Sequence, residues 1–200
     1  MIRAAFAVFL MCSAAQAEPF PAAYQVQGVA ADDVLNIRAE PSASAPVLGA
    51  LGPFDINVEV LRLSEDGKWG LVSLAEGAGW VAMRFLRATP PDDPSLIPRP
   101  FRCVGTEPFW SLTLPARGGM EWSTPDTPRT DLTLTEEHVA SQGYLVRAKE
   151  GTTRIYSLTV TREWCSDGMS DREFGFLAKL FIEQPDGNLL LSGCCTLDAR

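Results

Sequence analysis

The chain carries one histidine, His138, in 200 residues, and it is poor in cations: 17 Lys and Arg stand against 25 Asp and Glu, a formal net charge of −8. An acidic surface repels phosphate backbones and anionic headgroups, which argues against nucleic acid and against nonspecific attachment to membranes. Beyond the first seventeen residues there is no run of about 18 apolar residues, the length a membrane helix needs. Signatures of catalysis are missing too. There is no Gly-x-Ser-x-Gly elbow, no glycine-rich phosphate loop and no Cys-x-x-Cys pair. His138 lies in the polar stretch Thr135-Glu136-Glu137-His138 and offers little as a ligand or base. Glu136 and Glu137 are adjacent, so in a strand their carboxylates diverge. Asp167, Ser170 and Asp171 carry oxygens that suit calcium, but not at EF-hand spacing. The expectation is a non-enzyme with no cofactor and no metal.

The first seventeen residues are different in kind. Arg3 gives a positive start, an apolar run extends from Ala4 to Cys12, and Ala15-Gln16-Ala17 fits the small-x-small cleavage rule. This is the pattern of a secretory signal peptide over residues 1–17, which predicts a periplasmic or secreted protein. Cys12 raises the question of a lipid anchor, but Met11 before it is larger than lipid attachment favours.

Sixteen glycines and fifteen prolines suit many turns between short strands. The expected fold is all-β, a small barrel followed by a second antiparallel β-barrel or sandwich. The first domain spans residues 18–87. Within it Ile56, Val58, Val60 and Leu61 alternate, Asp66-Gly67 reverses the chain and Trp69, Leu71 and Val72 begin the return strand. Residues 88–100, ATPPDDPSLIPRP, hold five prolines and read as a semi-rigid spacer. The second domain spans residues 101–200. Strands are expected at residues 112–114, 131–135, 144–146, 152–160, 174–182 and 188–194, the fifth of which has a helical alternative because Ala178 and Lys179 sit inside it. Pro185-Asp186-Gly187 marks the last hairpin.

Removing the leader leaves Cys103, Cys165, Cys194 and Cys195. An even number in an exported chain favours disulfides, and four thiols allow three pairings. A bond between the neighbours Cys194 and Cys195 would be strained. Adjacent strand residues face opposite sides, so each can reach a different partner. The preferred map is Cys165 with Cys194 and Cys103 with Cys195, the second tying the first strand of the domain to the last.

Residues 34–86 carry a dense series of motifs: Asn36-Ile37-Arg38, then Glu40-Pro41-Ser42, then Asp66-Gly67-Lys68-Trp69, then Gly79-Trp80-Val81. The segment resembles the bacterial SH3-like (SH3b) domain, a binding module. The resemblance maps Asn36, Arg38, Pro41 and Trp80 onto structural positions, with Trp80 expected to fill the barrel and Asn36 and Arg38 to bind loop carbonyls. Trp69 either lies over the core or walls a groove, with Arg62, Glu65 and Lys68 at the rim. The second half resembles an uncharacterised family of Gram-negative envelope proteins through Gly105-Thr106-Glu107-Pro108-Phe109-Trp110, Cys165-Ser166-Asp167-Gly168-Met169-Ser170-Asp171 and Gly193-Cys194. Members of that family sometimes accompany inhibitors of c-type lysozyme. Glu107 beside Phe109 and Trp110 suits a sugar or a peptide cation, or else the aromatics form a buried lid. The candidate ligand-binding residues are Trp69, Arg62, Lys68, Glu107 and Trp110. The expected function is recognition of peptidoglycan or an envelope protein, with inhibition of a cell-wall-degrading enzyme such as lysozyme as the competing reading.

Overall fold

In residues 174–183 the apolar side chains alternate. Phe176, Ala178, Leu180 and Ile182 are buried, while Lys179 and Phe181 face outward. Period two with a lysine in solvent is a strand, not an amphipathic helix. This segment is one of sixteen strands in the computed structural model, which describes residues 20–197. The expected leader, with Cys12, lies outside the described residues.

The first eight strands are short: β1 (Ala22–Val26), β2 (Leu35–Arg38), β3 (Val47–Leu51), β4 (Val58–Val60), β5 (Arg62–Leu63), β6 (Trp69–Ser73), β7 (Ala78–Ala82) and β8 (Leu86–Ala88), with a 3-10 turn at Met83–Phe85. They make two antiparallel sheets, β4-β1-β8 and β3-β2-β7-β6-β5. Val26, Leu35, Ile37, Leu51, Val58, Val60, Val72 and Val81 fill the space between them. The turn joining β5 to β6 places Gly67 at φ +68°, a conformation that costs glycine little.

The remaining eight strands are longer: β9 (Phe101–Thr106), β10 (Phe109–Leu114), β11 (Met120–Thr124), β12 (Thr127–Ala140), β13 (Gly143–Glu150), β14 (Arg154–Cys165), β15 (Phe174–Glu183) and β16 (Leu189–Thr196). Each pairs with the next, and β16 pairs back onto β9, closing an up-and-down barrel. At the closing seam Cys195 lies directly opposite Cys103, and the two are joined by a disulfide. Side chains fill the interior. Phe101 makes edge contacts with Tyr144 and Phe176 at 5.7 and 5.3 Å. Trp110 stacks on Trp122 at 5.9 Å, and Trp122 lies 5.5 Å from Tyr156.

The proline-rich connection does more than space the two units. Ile97 is buried in the barrel core. Its amide faces Glu137, which also takes a 2.7 Å salt bridge from Arg99. A spacer reading fails at this end because a large apolar side chain and a shielded ion pair anchor the segment.

The units are also tied along a seam. Glu59 on β4 is 0 % exposed, and its carboxylate accepts bonds from the Thr196 hydroxyl at 2.6 Å and the Leu197 amide at 3.0 Å. Ser73 donates to the carbonyl of Glu173 at 2.6 Å, and Arg162 donates to the carbonyl of Pro21 at 2.7 Å. A side chain at Gly175 would meet the Pro21 ring at 1.9 Å, so glycine there lets the two backbones approach.

Candidate functional site

Strand alternation divides the five-stranded sheet into two faces. Val72 and Val81 point into the core, so Trp69, Leu71 and Trp80 point away from it. Pairing aligns Arg38, Trp80, Leu71 and Arg62 as one row across β2, β7, β6 and β5. Trp80 therefore does not fill the barrel, contrary to the sequence expectation. The smaller Val81 takes the inward place, and Trp80 lies half-buried on the outer face. The Arg62 guanidinium sits over the Trp80 ring at 5.3 Å. Arg62 thereby reaches across the intervening Leu71, which is only 3 % exposed. Arg38 donates to the carbonyl of Ala45 at 2.7 Å, the loop-tying role expected of it.

Trp69 is half-buried beside the hairpin turn, and its amide donates to the Ser64 hydroxyl at 3.1 Å. Asp66 organises that turn. Bonds from the Ser64 hydroxyl and the Lys68 amide pull its carboxyl down to about 2. The Lys68 ammonium lies 3.2 Å from Asp66 and is otherwise in solvent. Arg62 also reaches Glu173 of the barrel unit at 3.4 Å. The structure thus places Trp69, Arg62 and Lys68 on and around one face, with Arg62 at its border with the barrel unit.

Two further hollows lie at that border. One, of about 600 Å³, is lined by Arg62, Trp164, Ser166, Ser170, Arg172 and Glu173, with Asp171 beside them. A smaller one of about 140 Å³ shares Arg62, Trp164 and Glu173 and extends to Pro21 and Phe174.

Glu107 and Trp110 part company. Glu107 is exposed in the turn between β9 and β10, whereas Trp110 is 3 % exposed and points into the barrel. The Trp110 indole N–H donates to the carbonyl of Ser192 at 3.3 Å. A Cβ at Gly105 would lie 2.0 Å from that indole, and one at Gly193 would lie 2.6 Å from it, so both glycines make room for the ring. The exposed aromatic of this turn is Phe109, at 50 %.

Phe109 and Glu107 border a cleft of about 730 Å³ on the outside of the barrel. Its opposite wall is the segment 165–169, and its floor includes Cys165, Gly193 and Cys194. A disulfide joins Cys165 to Cys194, and the Thr106 hydroxyl donates to the carbonyl of Asp167 at 2.9 Å. Burial pushes the Asp167 carboxyl up, but bonds from the Met169 and Ser170 amides and the Ser170 hydroxyl outweigh it and hold the group low. That carboxylate serves its own loop. Among the described residues no group of three or more His, Cys, Asp or Glu side chains is placed to hold a metal ion. The stretches Gly105–Trp110 and Cys165–Asp171, far apart in sequence, therefore converge on one surface.

Sequence reasoning weighs Phe109 together with Trp110 but selects Trp110, and it does not reach Trp164. Phe109 adjoins the inward-facing Trp110 and so faces outward by period two, a signal that was available. Trp164 had no such signal, because a register shift in β14 between Arg162 and Cys165 breaks the alternation there.

No curated protein and no solved structure matches the chain. The second-half resemblance finds no counterpart in these comparisons. A family model described as bacterial SH3 domain matches residues 33–87, the segment that contains β2 to β7 and the Trp69–Trp80–Arg62 face, so the SH3b resemblance of the first unit is supported by an independent match.

Proposed function

We propose that this protein is an exported, non-catalytic envelope protein that binds peptidoglycan or an envelope partner through the outer face of its SH3-like unit. The observation that carries the reading is the position of Trp69, Trp80 and Arg62 on the solvent side of a sheet within the span matched to the bacterial SH3 domain. Half-buried indoles keep part of a flat apolar face open to a sugar ring or peptide plane. The guanidinium offers a planar fork to a carboxylate. Two disulfides support an oxidising compartment. Among the described residues no helix is long and apolar enough to cross a membrane.

Co-sedimentation of the full chain with purified peptidoglycan sacculi tests the reading. Retention is expected, and Trp69→Ala should weaken it by about 2 kcal/mol, as for a central aromatic anchor. Arg62→Ala, an exposed change, gives the same test without touching the core. A wild-type chain that stays in the supernatant leaves an envelope protein as the partner. Retention that neither variant lowers removes this face from the binding site.

A further inference from the structure

Trp164 is a large aromatic held 65 % exposed on a barrel otherwise lined inside with aromatics. It stands at the β14 register shift between Arg162 and Cys165, where one extra residue turns side chains away from their regular positions. There it faces Arg62 across both border hollows. The side chains around it are of complementary kinds. Arg62 is about half exposed and already bridges the Trp80 ring and Glu173. The Arg172 guanidinium lies over the Phe174 ring at 4.9 Å and makes no salt bridge among the described residues. Ser166 and Ser170 add hydroxyls.

The two units that form this cleft are tied to each other beside it. Glu59 with Thr196 and Leu197, Ser73 with Glu173, and Arg162 with Pro21 clamp the SH3-like unit against the barrel. Holding the two backbones in place before binding lowers the ordering cost of binding. Asp171 and Glu173 line the same cleft as Arg62 and Arg172, so its charges balance, and Arg172 is the cation of the lining that makes no salt bridge among the described residues.

Resting on the wall-binding reading above, we infer that this border cleft is a second subsite, contributed by both units, for a short sugar-linked peptide with a free carboxylate. The carboxylate is taken by Arg172 and Arg62, with Glu173 yielding its long 3.4 Å contact to Arg62, and the sugar or peptide plane lies on Trp164. The ligand then continues past Arg62 onto Trp80, so the barrel is part of the recognition surface and not only its support.

The test is calorimetric titration of the full chain with soluble disaccharide-peptide fragments of peptidoglycan, with the peptide carboxylates free or amidated. The wild type should prefer the free acid. Trp164→Ala, which removes an exposed side chain, should weaken binding about tenfold or more. Arg172→Gln should abolish the preference for the free acid while the near-ultraviolet dichroism stays unchanged. Wild-type affinity in both variants, with Trp69→Ala still weakened, overturns the subsite and leaves the SH3-face reading standing. Equal wild-type affinity for free and amidated fragments overturns the carboxylate assignment. Absence of wild-type binding to fragments and sacculi alike overturns the wall-binding reading and the subsite together.

Discussion

In the barrel, Phe101, Trp110, Trp122, Tyr144, Tyr156 and Phe176 point inward and touch one another. In the SH3-like unit the interior is mostly Val, Leu and Ile, and both tryptophans lie on the outer face of the sheet. The barrel is closed by a disulfide, while the smaller unit has none and leans on its neighbour through Glu59. The same residue type therefore does different things in the two halves. Aromatic area that fills the barrel interior lies instead on the outer face of the sheet in the SH3-like unit, which is bonded to the larger body beside it.

The contrast is sharpest under reduction. Cys103→Ser with Cys195→Ser removes a cross-link closing 92 residues and should cost the barrel about 4 kcal/mol. Urea unfolding followed by Trp110 and Trp122 fluorescence measures this; an unchanged midpoint would show that strand pairing alone closes the barrel. Glu59→Ala comes next. It removes the carboxylate that accepts from the Thr196 hydroxyl and the Leu197 amide in a buried seam, for a loss of about 3 kcal/mol. The expected signature in calorimetry is a separate, earlier transition for the SH3-like unit. A single transition at the wild-type temperature would mean that the smaller unit does not need its neighbour.

The smallest effect is confined to the barrel and to alkaline pH. Burial first, then the bond from the Tyr156 hydroxyl to Glu150, pushes the Tyr156 phenol up to about 12. The folded chain thus holds this proton more tightly than the unfolded chain, whose phenol titrates near pH 10. The stability it contributes is complete below about pH 10 and is lost as pH rises toward 12. Tyr156→Phe should flatten that slope in stability measured against pH. An unchanged slope would place alkaline sensitivity elsewhere.

Much of the strand pattern was legible in the sequence because period-two alternation needs only local information. Residues 174–182 are such a case, and so is the Asp66-Gly67 turn. The opposite facing of Cys194 and Cys195 also follows from local geometry: Cys195 joins the barrel core, and Cys194 joins a small cluster outside it with Cys165 and Phe174. What escaped sequence reasoning depends on distant neighbours. Glu59 sits on the outward side of β4, where a charge normally meets water, but the barrel covers that side. Ile97 lies among prolines that suggest solvent, and yet it inserts into the barrel. Trp80 carried a strong apolar signal that overrode its place in the alternation.

Closure between β9 and β16 also governs how the molecule can be made. The first barrel strand has to wait for the last, so the decisive contacts are as non-local as the second half allows, which favours slow folding. Until β16 emerges, β9 and β15 each present a bare row of backbone donors and acceptors to any other chain. The half-made barrel is therefore the aggregation-prone species in the life of this protein, and its vulnerable period ends only when Thr196 pairs with Arg102.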